Sequence, residues 1–265
     1  MQASVGLVSV QDLGRPNLLH RGVPRSGALA PSLLAATNVG VGNDENAAAI
    51  EVLGQLTLKC TAPTWIATSN GTLRHCAAGE ELRVQPGSDQ RVAYACVRGG
   101  IDVPERMQSR STWIEAAFGG FNGRLLQRGD VLPVGASRTT SSRSFAVETF
   151  TKRKIKVLRG PDAHRFDEQA MRLLTSAAGV ISASSNRVAT RLDMLRLPYV
   201  AVKDEPSHPM IEGAIEVTSD GTPLVLGPEH PITGGYPVIA VIERGSLDAF
   251  HRLPVGTRVE FEFTR

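Results

Sequence analysis

Short apolar runs separated by turn residues recur along the whole chain, and this pattern restricts the possible folds more than any other feature. Each run is four to seven residues long and is rich in Val, Ile, Leu and Thr. This length and spacing predict a mainly β protein whose sheets close into barrels or sandwiches, rather than a series of βαβ units. The predicted strands are 5–10, 56–60, 64–69, 82–85, 91–97, 130–135, 154–160, 179–184, 214–217, 223–227, 237–243 and 257–263.

Helical periodicity occurs in three segments, 31–41, 167–177 and 246–253. Pro31 suits the first position of a helix, where its missing N–H costs nothing. Asp167 is placed to cap the second helix. Ser246 is predicted as the N-cap of the third helix, which Pro254 should end.

The segment 135–154 is rich in Ser, Thr and Arg and has little periodicity, which is typical of a linker or crossover. We therefore predict an N-terminal β-barrel-like domain over 1–135, a linker over 136–154 and a C-terminal β-barrel domain over 155–265. A chain of 265 residues is long enough for either unit to bury its own core.

The charge and cysteine content argue against several classes of protein. The 29 basic and 26 acidic residues give a net charge of +3, and the basic residues are scattered, so no nucleic-acid partner is expected. Cys60, Cys76 and Cys96 have no metal-binding or disulfide spacing and are predicted to be free thiols in a reducing compartment. No signal peptide or long apolar segment is visible, so we expect a cytoplasmic protein without a membrane anchor.

Glycine pairs at 99–100, 119–120 and 234–235 are the clearest candidate binding features. Adjacent glycines let the backbone approach a ligand, so that successive N–H groups can point at an anion or an oxyanion. The alternative for each pair is a tight turn or a bulge, which β-rich proteins need in any case. Motifs for a P-loop, a serine hydrolase, a zincin or a dinucleotide site are missing.

Arginines beside these loops predict a site for a small anion. The guanidinium groups of Arg98 and Arg110 can hold a carboxylate or phosphate in a two-pronged hydrogen bond, although an ion pair of Arg98 with Asp102 is the structural alternative. The six histidines show no metal-ligand spacing, so no metal site is expected. His230 precedes the third glycine pair, where it is either a proton-transfer group or a solvated loop residue.

Five segments in the same order resemble one known family over nearly the whole chain. They are "VSVQDLGRPNLLHRGVPRSGALAPSLLAATNVGVGNDENAAAIEV", "RGGIDVPERMQSRSTWIEAAFGGFNGRLLQRGDVLPVG", "VLRGPDAHRF", "IEGAIEVTSDGTPLVL" and "TGGYPVIAVI". The family is known as allophanate hydrolase subunit 2, the KipI antagonist (KipA), or the C subunit of prokaryotic ATP-dependent 5-oxoprolinase. It is related to the carboxyltransferase module of urea amidolyase.

The resemblance implies two cyclophilin-like β-barrel units in tandem with a few short helices. It also implies a hydrolase subunit that depends on partners: a KipI-like protein (allophanate hydrolase subunit 1, or the B subunit of 5-oxoprolinase) and possibly a third subunit. The implied reaction is the ATP-dependent opening of 5-oxoproline, a small cyclic amide, to glutamate, with a nucleotide site that the sequence does not locate. The alternatives are a regulator that binds a KipI-type kinase inhibitor, and half of a carboxyltransferase, for which biotin would be the cofactor.

The chain departs from the family pattern at three places. Ala30 replaces the acidic residue of the usual "SGAMDP", and Pro231 and Ile232 replace polar residues before "TGGYP" while Glu229 keeps the carboxylate. The segment 185–192 keeps Arg187 but loses a glycine. These changes predict a divergent member whose substrate can differ from that of its relatives.

Residues in the matching motifs are the predicted substrate contacts, and no catalytic residue is assigned. Arg98 and Arg110 are expected to hold a carboxylate or phosphate, and Gly234 and Gly235 to offer N–H groups to an oxyanion. The predicted contacts are Ser26, Asn38, Arg98, Gly99, Gly100, Arg110, Thr233, Gly234, Gly235 and Tyr236.

Overall fold

The computed structural model describes residues 1–137, 154–193, 195–200 and 206–264. Among them, the chain forms two compact units. The first contains Met1–Asn17 and the described residues from Arg25 to Ser137, and the second contains Leu18–Pro24 and the described residues from Lys154 onwards. Most of the predicted linker 136–154 lies outside the described residues, so the predicted domain boundaries stay a prediction.

The first unit is built on an antiparallel sheet of six strands. The strands are β1 (Ala3–Gln11), β2 (Ala49–Lys59), β3 (Thr64–Thr68), β4 (Leu73–Cys76), β5 (Glu81–Val84) and β6 (Ala93–Val97). Their order in the sheet is β1-β2-β6-β3-β4, and β5 pairs with the C-terminal end of β2. The long pairing of β1 with β2 places Val8 opposite Val52.

Alternating side chains of this sheet build two apolar clusters. One cluster includes Val8, Val52 and Ile66. The other joins the sheet to helix α1 (Pro31–Val41) through Leu33 and Leu34. Pro31 occupies the start of this helix as predicted, and the left-handed Gly42 ends it. Burial of both faces stabilises this unit through the hydrophobic effect.

The second unit contains a closed barrel of seven strands and a separate two-stranded ribbon. Its strands are β7 (Lys154–Arg159), β8 (Gly179–Ile181), β9 (Ala189–Asp193), β10 (His208–Pro209), β11 (Ala214–Val217), β12 (Pro223–Leu226), β13 (Thr233–Gly234), β14 (Val238–Ile242) and β15 (Arg258–Phe263). The barrel order is β11-β12-β9-β8-β15-β7-β14, and the ribbon pairs β10 with β13. Among the described residues, all barrel pairings are antiparallel except that of β15 with β7.

Two helices pack against the apolar interior of the barrel. Helix α2 (Glu168–Ser176) contributes Leu174, and helix α3 (Arg244–Arg252) contributes Phe250. The Asp167 carboxylate accepts a hydrogen bond of 2.7 Å from the backbone N–H of Ala170, which confirms it as the N-cap of α2.

The mainly β fold class is confirmed, with three short α-helices among the described residues. Two local predictions are wrong. Helix α3 begins at Arg244, before the predicted cap Ser246, and its N-cap Glu243 makes no side-chain capping bond. Segment 130–135 forms a single bridge between Val134 and Ile101 instead of a strand, because the turn at 127–130 and Pro133 interrupt any continuous ladder.

Candidate functional site

The predicted contacts divide between the two units. Six of them, from Ser26 to Arg110, lie in the first unit, and the four from Thr233 to Tyr236 lie in the second. Within the first unit, Ser26 and Arg110 border a buried carboxylate, Asp12. Asn43 links Asn38 to Val97 and Gly99, the two neighbours of Arg98 in the chain. Arg98 itself donates to the carbonyl of Val41. The contacts of the first unit therefore form two neighbourhoods.

Asp12 follows the end of β1 and is only 3% exposed. Its carboxylate accepts hydrogen bonds from the hydroxyls of Ser109, at 2.7 Å, and Ser111. It also accepts the backbone N–H groups of Gly14, at 2.8 Å, and Arg110, at 2.6 Å. Four donors satisfy the buried charge, so this group, the Asp12 cluster, ties the segment after β1 to the segment 109–111.

Arg110 extends from the Asp12 cluster toward solvent. Its Nε donates to the carbonyl oxygen of Val103 at 2.9 Å, which fixes the side chain. The guanidinium lies 3.5 Å from the Asp102 carboxylate and 3.4 Å from that of Glu105, and the Arg110 side chain is 37% exposed. Because both acidic partners are also exposed, an incoming anion can compete with them for this guanidinium.

Ser26 packs beside the Asp12 cluster. The backbone N–H of Ala28, two residues on, donates to the carbonyl oxygen of Asp12 at 2.7 Å. Ser26 is fully buried, has a φ of 51°, and has a hydroxyl without a hydrogen-bond partner among the described residues. A non-glycine residue in this left-handed conformation stores local strain of roughly 1 kcal/mol or more. Such strain is often found at functional positions.

The start of helix α1 is held by buried side chains rather than by its own cap. Glu51 accepts the backbone N–H of Leu29 at 2.7 Å and the Tyr94 hydroxyl at 2.8 Å. That hydroxyl accepts the N–H of Ala30 at 2.9 Å. Ala30 is fully buried, and as the N-cap it supplies no side-chain bond. With alanine instead of the acidic residue of the family pattern at position 30, the first residues of α1 are therefore anchored by Glu51 and Tyr94. The sequence motifs did not indicate that these two residues are partners.

Asn43 connects the second neighbourhood. Its side-chain amide donates to the Asn38 carbonyl oxygen at 3.1 Å and to the backbone carbonyl of Val97 at 2.8 Å, and its own oxygen accepts the N–H of Gly99 at 2.8 Å. Asn38 is buried and donates to the carbonyl of Ala47 at 2.7 Å. Asn43 was missed by the sequence analysis, although its position one residue after the helix-ending Gly42 is a recognisable signal.

Arg98 directly follows β6, and two contacts fix the position of its side chain. Its Nε donates to the carbonyl of Val41 at 3.1 Å, and its guanidinium carbon lies 5.2 Å from the centre of the Trp65 ring. Gly99 has a φ of 93°, and a side chain there would overlap the carbonyl of Gly135. This glycine is required by a close backbone approach, as is Gly119, where a side chain would overlap the backbone carbonyl of Ser111. Gly100 has a φ of 73°, and its N–H bonds to the Val97 carbonyl.

In the second unit, Thr233 and Gly234 form β13 of the ribbon. Gly235 has open space around its Cα, and Tyr236 is 42% exposed. In the segment predicted as a binding loop, Thr233 and Gly234 therefore belong to a strand, and Gly235 and Tyr236 form an accessible turn.

A buried carboxyl group lies under the ribbon. A side chain added at Gly234 would meet Met210 and would approach the Glu216 carboxylate to 3.6 Å. Burial raises the pKa of Glu216, and the charge of His208 opposes this effect. The His208 Nε2 in turn lies 3.6 Å from the Asp162 carboxylate, which also accepts the backbone N–H of Val238 at 2.8 Å.

The variant Glu216→Gln should stabilise the second unit above acidic pH. A carboxyl group with a raised pKa in the folded state favours folding when it is protonated. This contribution to stability is lost as the pH rises from the ordinary pKa of the group, 4.5, through its raised pKa in the folded state. At pH 8 we expect the variant to melt about 2 to 4 °C above the original chain. Thermal unfolding at several pH values measures the difference, which should shrink toward pH 4; a constant difference would contradict the assignment.

Arg187 and Glu229 form a buried ion pair that the sequence analysis did not predict. The Arg187 Nε lies 2.6 Å from the Glu229 carboxylate, and each side chain is only 2% exposed. The backbone N–H of Glu229 also donates to the Arg187 carbonyl at 3.2 Å. Next to this pair, His230 is 2% exposed, so its interpretation as a solvated loop residue is wrong.

Further features limit the chemistry of the described residues. Cys60, Cys76 and Cys96 are free and buried, as predicted, and burial raises the pKa of Cys96. Within the described ranges, His, Cys, Asp and Glu side chains form no cluster of three or more that could hold a metal ion. In the same part of the chain, no helix is long and apolar enough to cross a membrane.

A six-stranded sheet unit and a seven-stranded barrel, with polar loops around a buried carboxylate in the first unit, make up a mainly β protein of two units. The model of the family "Carboxyltransferase domain, subdomain A and B" matches residues 21–263, so the chain belongs to this family.

Curated relatives are similar over almost the full chain. The C subunit of 5-oxoprolinase from Escherichia coli is 33% identical over 96% of this chain and 87% of its own length. The corresponding protein of Haemophilus influenzae is 27% identical over the same shares. The urea amidolyase of Saccharomyces cerevisiae is 28% identical over 96% of this chain, which corresponds to 16% of that longer protein.

Solved structures show the same fold. TTHA0988 superposes with a TM-score of 0.84 and 26% identity, over 98% of this chain and 53% of that one. The urea amidolyase of K. lactis superposes with a TM-score of 0.81 and 27% identity, over 99% of this chain and 18% of that one. The chain thus spans about half of one solved relative and less than a fifth of the other.

Proposed function

We propose that this chain is a subunit of a cytosolic amide-hydrolase complex that opens 5-oxoproline to glutamate at the expense of ATP. The observation that carries the proposal is the 33% identity to the C subunit of 5-oxoprolinase, which extends over 87% of that protein. In the proposed complex, the chain acts with a KipI-like subunit and a third subunit. Water is added across the ring C–N bond, which produces the free amine and a second carboxylate, while ATP supplies the energy.

Two groups of residues are proposed as substrate or nucleotide contacts, each within its own unit. In the first unit, the Asp12 cluster holds Arg110 in place, and this guanidinium binds a carboxylate or phosphate. The strained, buried Ser26 lies behind this site as a proposed positioning residue, and Arg98 supplies positive charge at the Asn43 neighbourhood. In the second unit, the exposed turn at Gly235 and Tyr236 offers a backbone N–H and a phenol to a carbonyl oxygen that gains negative charge.

The assay is the release of glutamate from 5-oxoproline by the chain purified with its KipI-like partner and the third subunit, with and without ATP. Formation of glutamate only with all components and ATP supports the proposal. Failure of the assembled complex, under conditions in which the Escherichia coli proteins are active, would refute the substrate assignment.

The variant Arg110→Ala should lower kcat/KM of the assembled complex by about 10- to 100-fold, because a hydrogen-bonded charge contributes on the order of 1.5–3 kcal/mol. Arg83→Ala is the matched control, since Arg83 is exposed and its guanidinium bonds only to Gln55 within the described part of the chain. Co-purification measures partner binding in parallel. Loss of turnover with intact binding supports an enzyme subunit, whereas normal turnover contradicts the role of Arg110.

A second candidate function is half of a biotin-dependent carboxyltransferase. It is favoured by the family match and by the superposition on urea amidolyase, whose structure contains a module of this fold. This function requires a biotin carrier, so capture of the tagged chain from cells of its source should bring down a biotinylated protein that streptavidin detects. If none is detected, this alternative is rejected in favour of the hydrolase.

A further inference from the structure

The first unit contains a cavity of about 630 Å³, and Arg98 is the one predicted contact among its described lining residues. Its floor consists of buried apolar side chains from three strands, including Leu56 of β2, Ile66 of β3 and Val97 of β6. Exposed Val131 and Val134 lie at its edge. Binding sites for small molecules typically measure about 300–1,000 Å³ and are mainly apolar, and this cavity meets both criteria. A molecule as small and polar as 5-oxoproline would neither fill it nor match its floor.

Among the lining side chains of the cavity, Trp65 contacts both His75 and Arg98. The Trp65 ring has the Arg98 guanidinium over its face, at 5.2 Å from the ring centre, and the His75 ring at its edge, at 5.4 Å between centres. The bond from Arg98 Nε to the Val41 carbonyl fixes the orientation of the cation. A fixed cation beside an apolar floor favours a ligand with an apolar body and a negative head.

The charges around the cavity point to the same ligand class. Lys59 and Arg98 are its cations, and Asp130 is its one acidic residue among the described lining residues. The Asp130 carboxylate is already held by the Arg124 guanidinium in two hydrogen bonds of 2.8 and 2.9 Å, which lower its pKa. Since Arg124 pairs with Asp130, the other formal side-chain charges among the described lining residues are those of Lys59 and Arg98.

We propose that this cavity binds an amphipathic carboxylate, with its apolar body on the floor of Leu56, Ile66 and Val97 and its head group near Lys59 and Arg98. The site goes beyond the proposed hydrolase function, because it suits a larger and more apolar molecule than the lactam. It needs only the first unit, so its test does not depend on partner subunits or on turnover.

Binding is tested on the full chain by calorimetry and thermal shift with three probes of equal length: octanoate, octanol and octylamine. We expect saturable binding of octanoate with one site per chain, weaker binding of octanol, and no binding of octylamine. Trp65 lines the cavity, so octanoate should also change the tryptophan fluorescence. Equal binding of octylamine and octanoate, or no saturable binding of octanoate, would overturn the proposal.

Two variants place the probe in the cavity. Lys59→Glu should weaken octanoate binding by about three- to tenfold, as expected for the reversal of one exposed charge. Lys156→Glu makes the same change on an exposed strand residue of the second unit and should leave binding unchanged. Leu58→Trp fills part of the cavity and should abolish binding. If Lys59→Glu and Lys156→Glu bind octanoate equally, the assignment of the head-group position fails whether or not Leu58→Trp folds.

Discussion

Replacing Glu229 with glutamine should lower the free energy of unfolding of the second unit by about 3 to 5 kcal/mol, because the change removes the carboxylate charge that faces the buried Arg187 cation. The two side chains approach to 2.6 Å, and each is 2% exposed, so water cannot replace the lost partner. A defect of this size is a large fraction of the stability of an ordinary domain.

The measurement is chemical unfolding followed by far-ultraviolet circular dichroism, since both tryptophans of the chain, Trp65 and Trp113, lie in the first unit. Glu262→Gln, a change of the same kind at an exposed position of β15, is the control and should have almost no effect. The double variant Arg187→Met with Glu229→Leu removes both charges and should recover much of the loss. If the double variant is as unstable as the single one, the ion pair is not the cause.

Replacing Asp12 with alanine should be comparably damaging in the first unit. Four donors would lose their acceptor at once, two serine hydroxyls and two backbone N–H groups, and each buried donor left unsatisfied costs about 1 to 3 kcal/mol. Even if water reaches some of these groups, we expect a loss of several kcal/mol. Because the cluster holds the backbone of Arg110, turnover of the assembled complex should fall as well.

Tryptophan fluorescence during chemical unfolding measures this prediction, because Trp65 and Trp113 report on the first unit. Asp12→Asn keeps the shape but offers N–H groups where acceptors are needed, so it should be nearly as destabilising as alanine. Asp89→Asn, at an exposed turn, is the matched control and should change little. Stability of Asp12→Ala within 1 kcal/mol of the original, on the scale of a single hydrogen bond, would contradict the role assigned to the cluster.

Much of the fold could be predicted from local patterns. Segment 31–41 became α1 with the predicted bounds, and Asp167 capped α2, because proline and aspartate act within one turn of the helix that they start. Strand β4, Leu73–Cys76, was missed since its sequence "LRHC" has too few apolar residues to signal a strand, and it is stabilised by pairing with β3.

The contacts between distant segments could not be predicted from such patterns. Arg187 and Glu229 were each recognised as retained family residues, yet nothing local indicates that side chains 42 residues apart form one ion pair. The same is true of Asp12 and Ser111, which are 99 residues apart. Contacts of this kind depend on strand order, which is set by the packing of the whole unit. The substrate contacts named from the family motifs, including Ser26 and Tyr236, stay predictions.

The pairing of β15 with both β7 and β8 also determines when the second unit can mature during synthesis. The barrel lacks strand β15 until Arg258–Phe263 has left the ribosome. By contrast, all six described strands of the first sheet have been synthesised by residue 97. Translation proceeds at about 5–20 residues per second, so the incomplete barrel would wait for several seconds with open strand edges. Chaperone demand in the cell should therefore fall more on the second unit than on the first, and termination of synthesis before Arg258 should give an insoluble product.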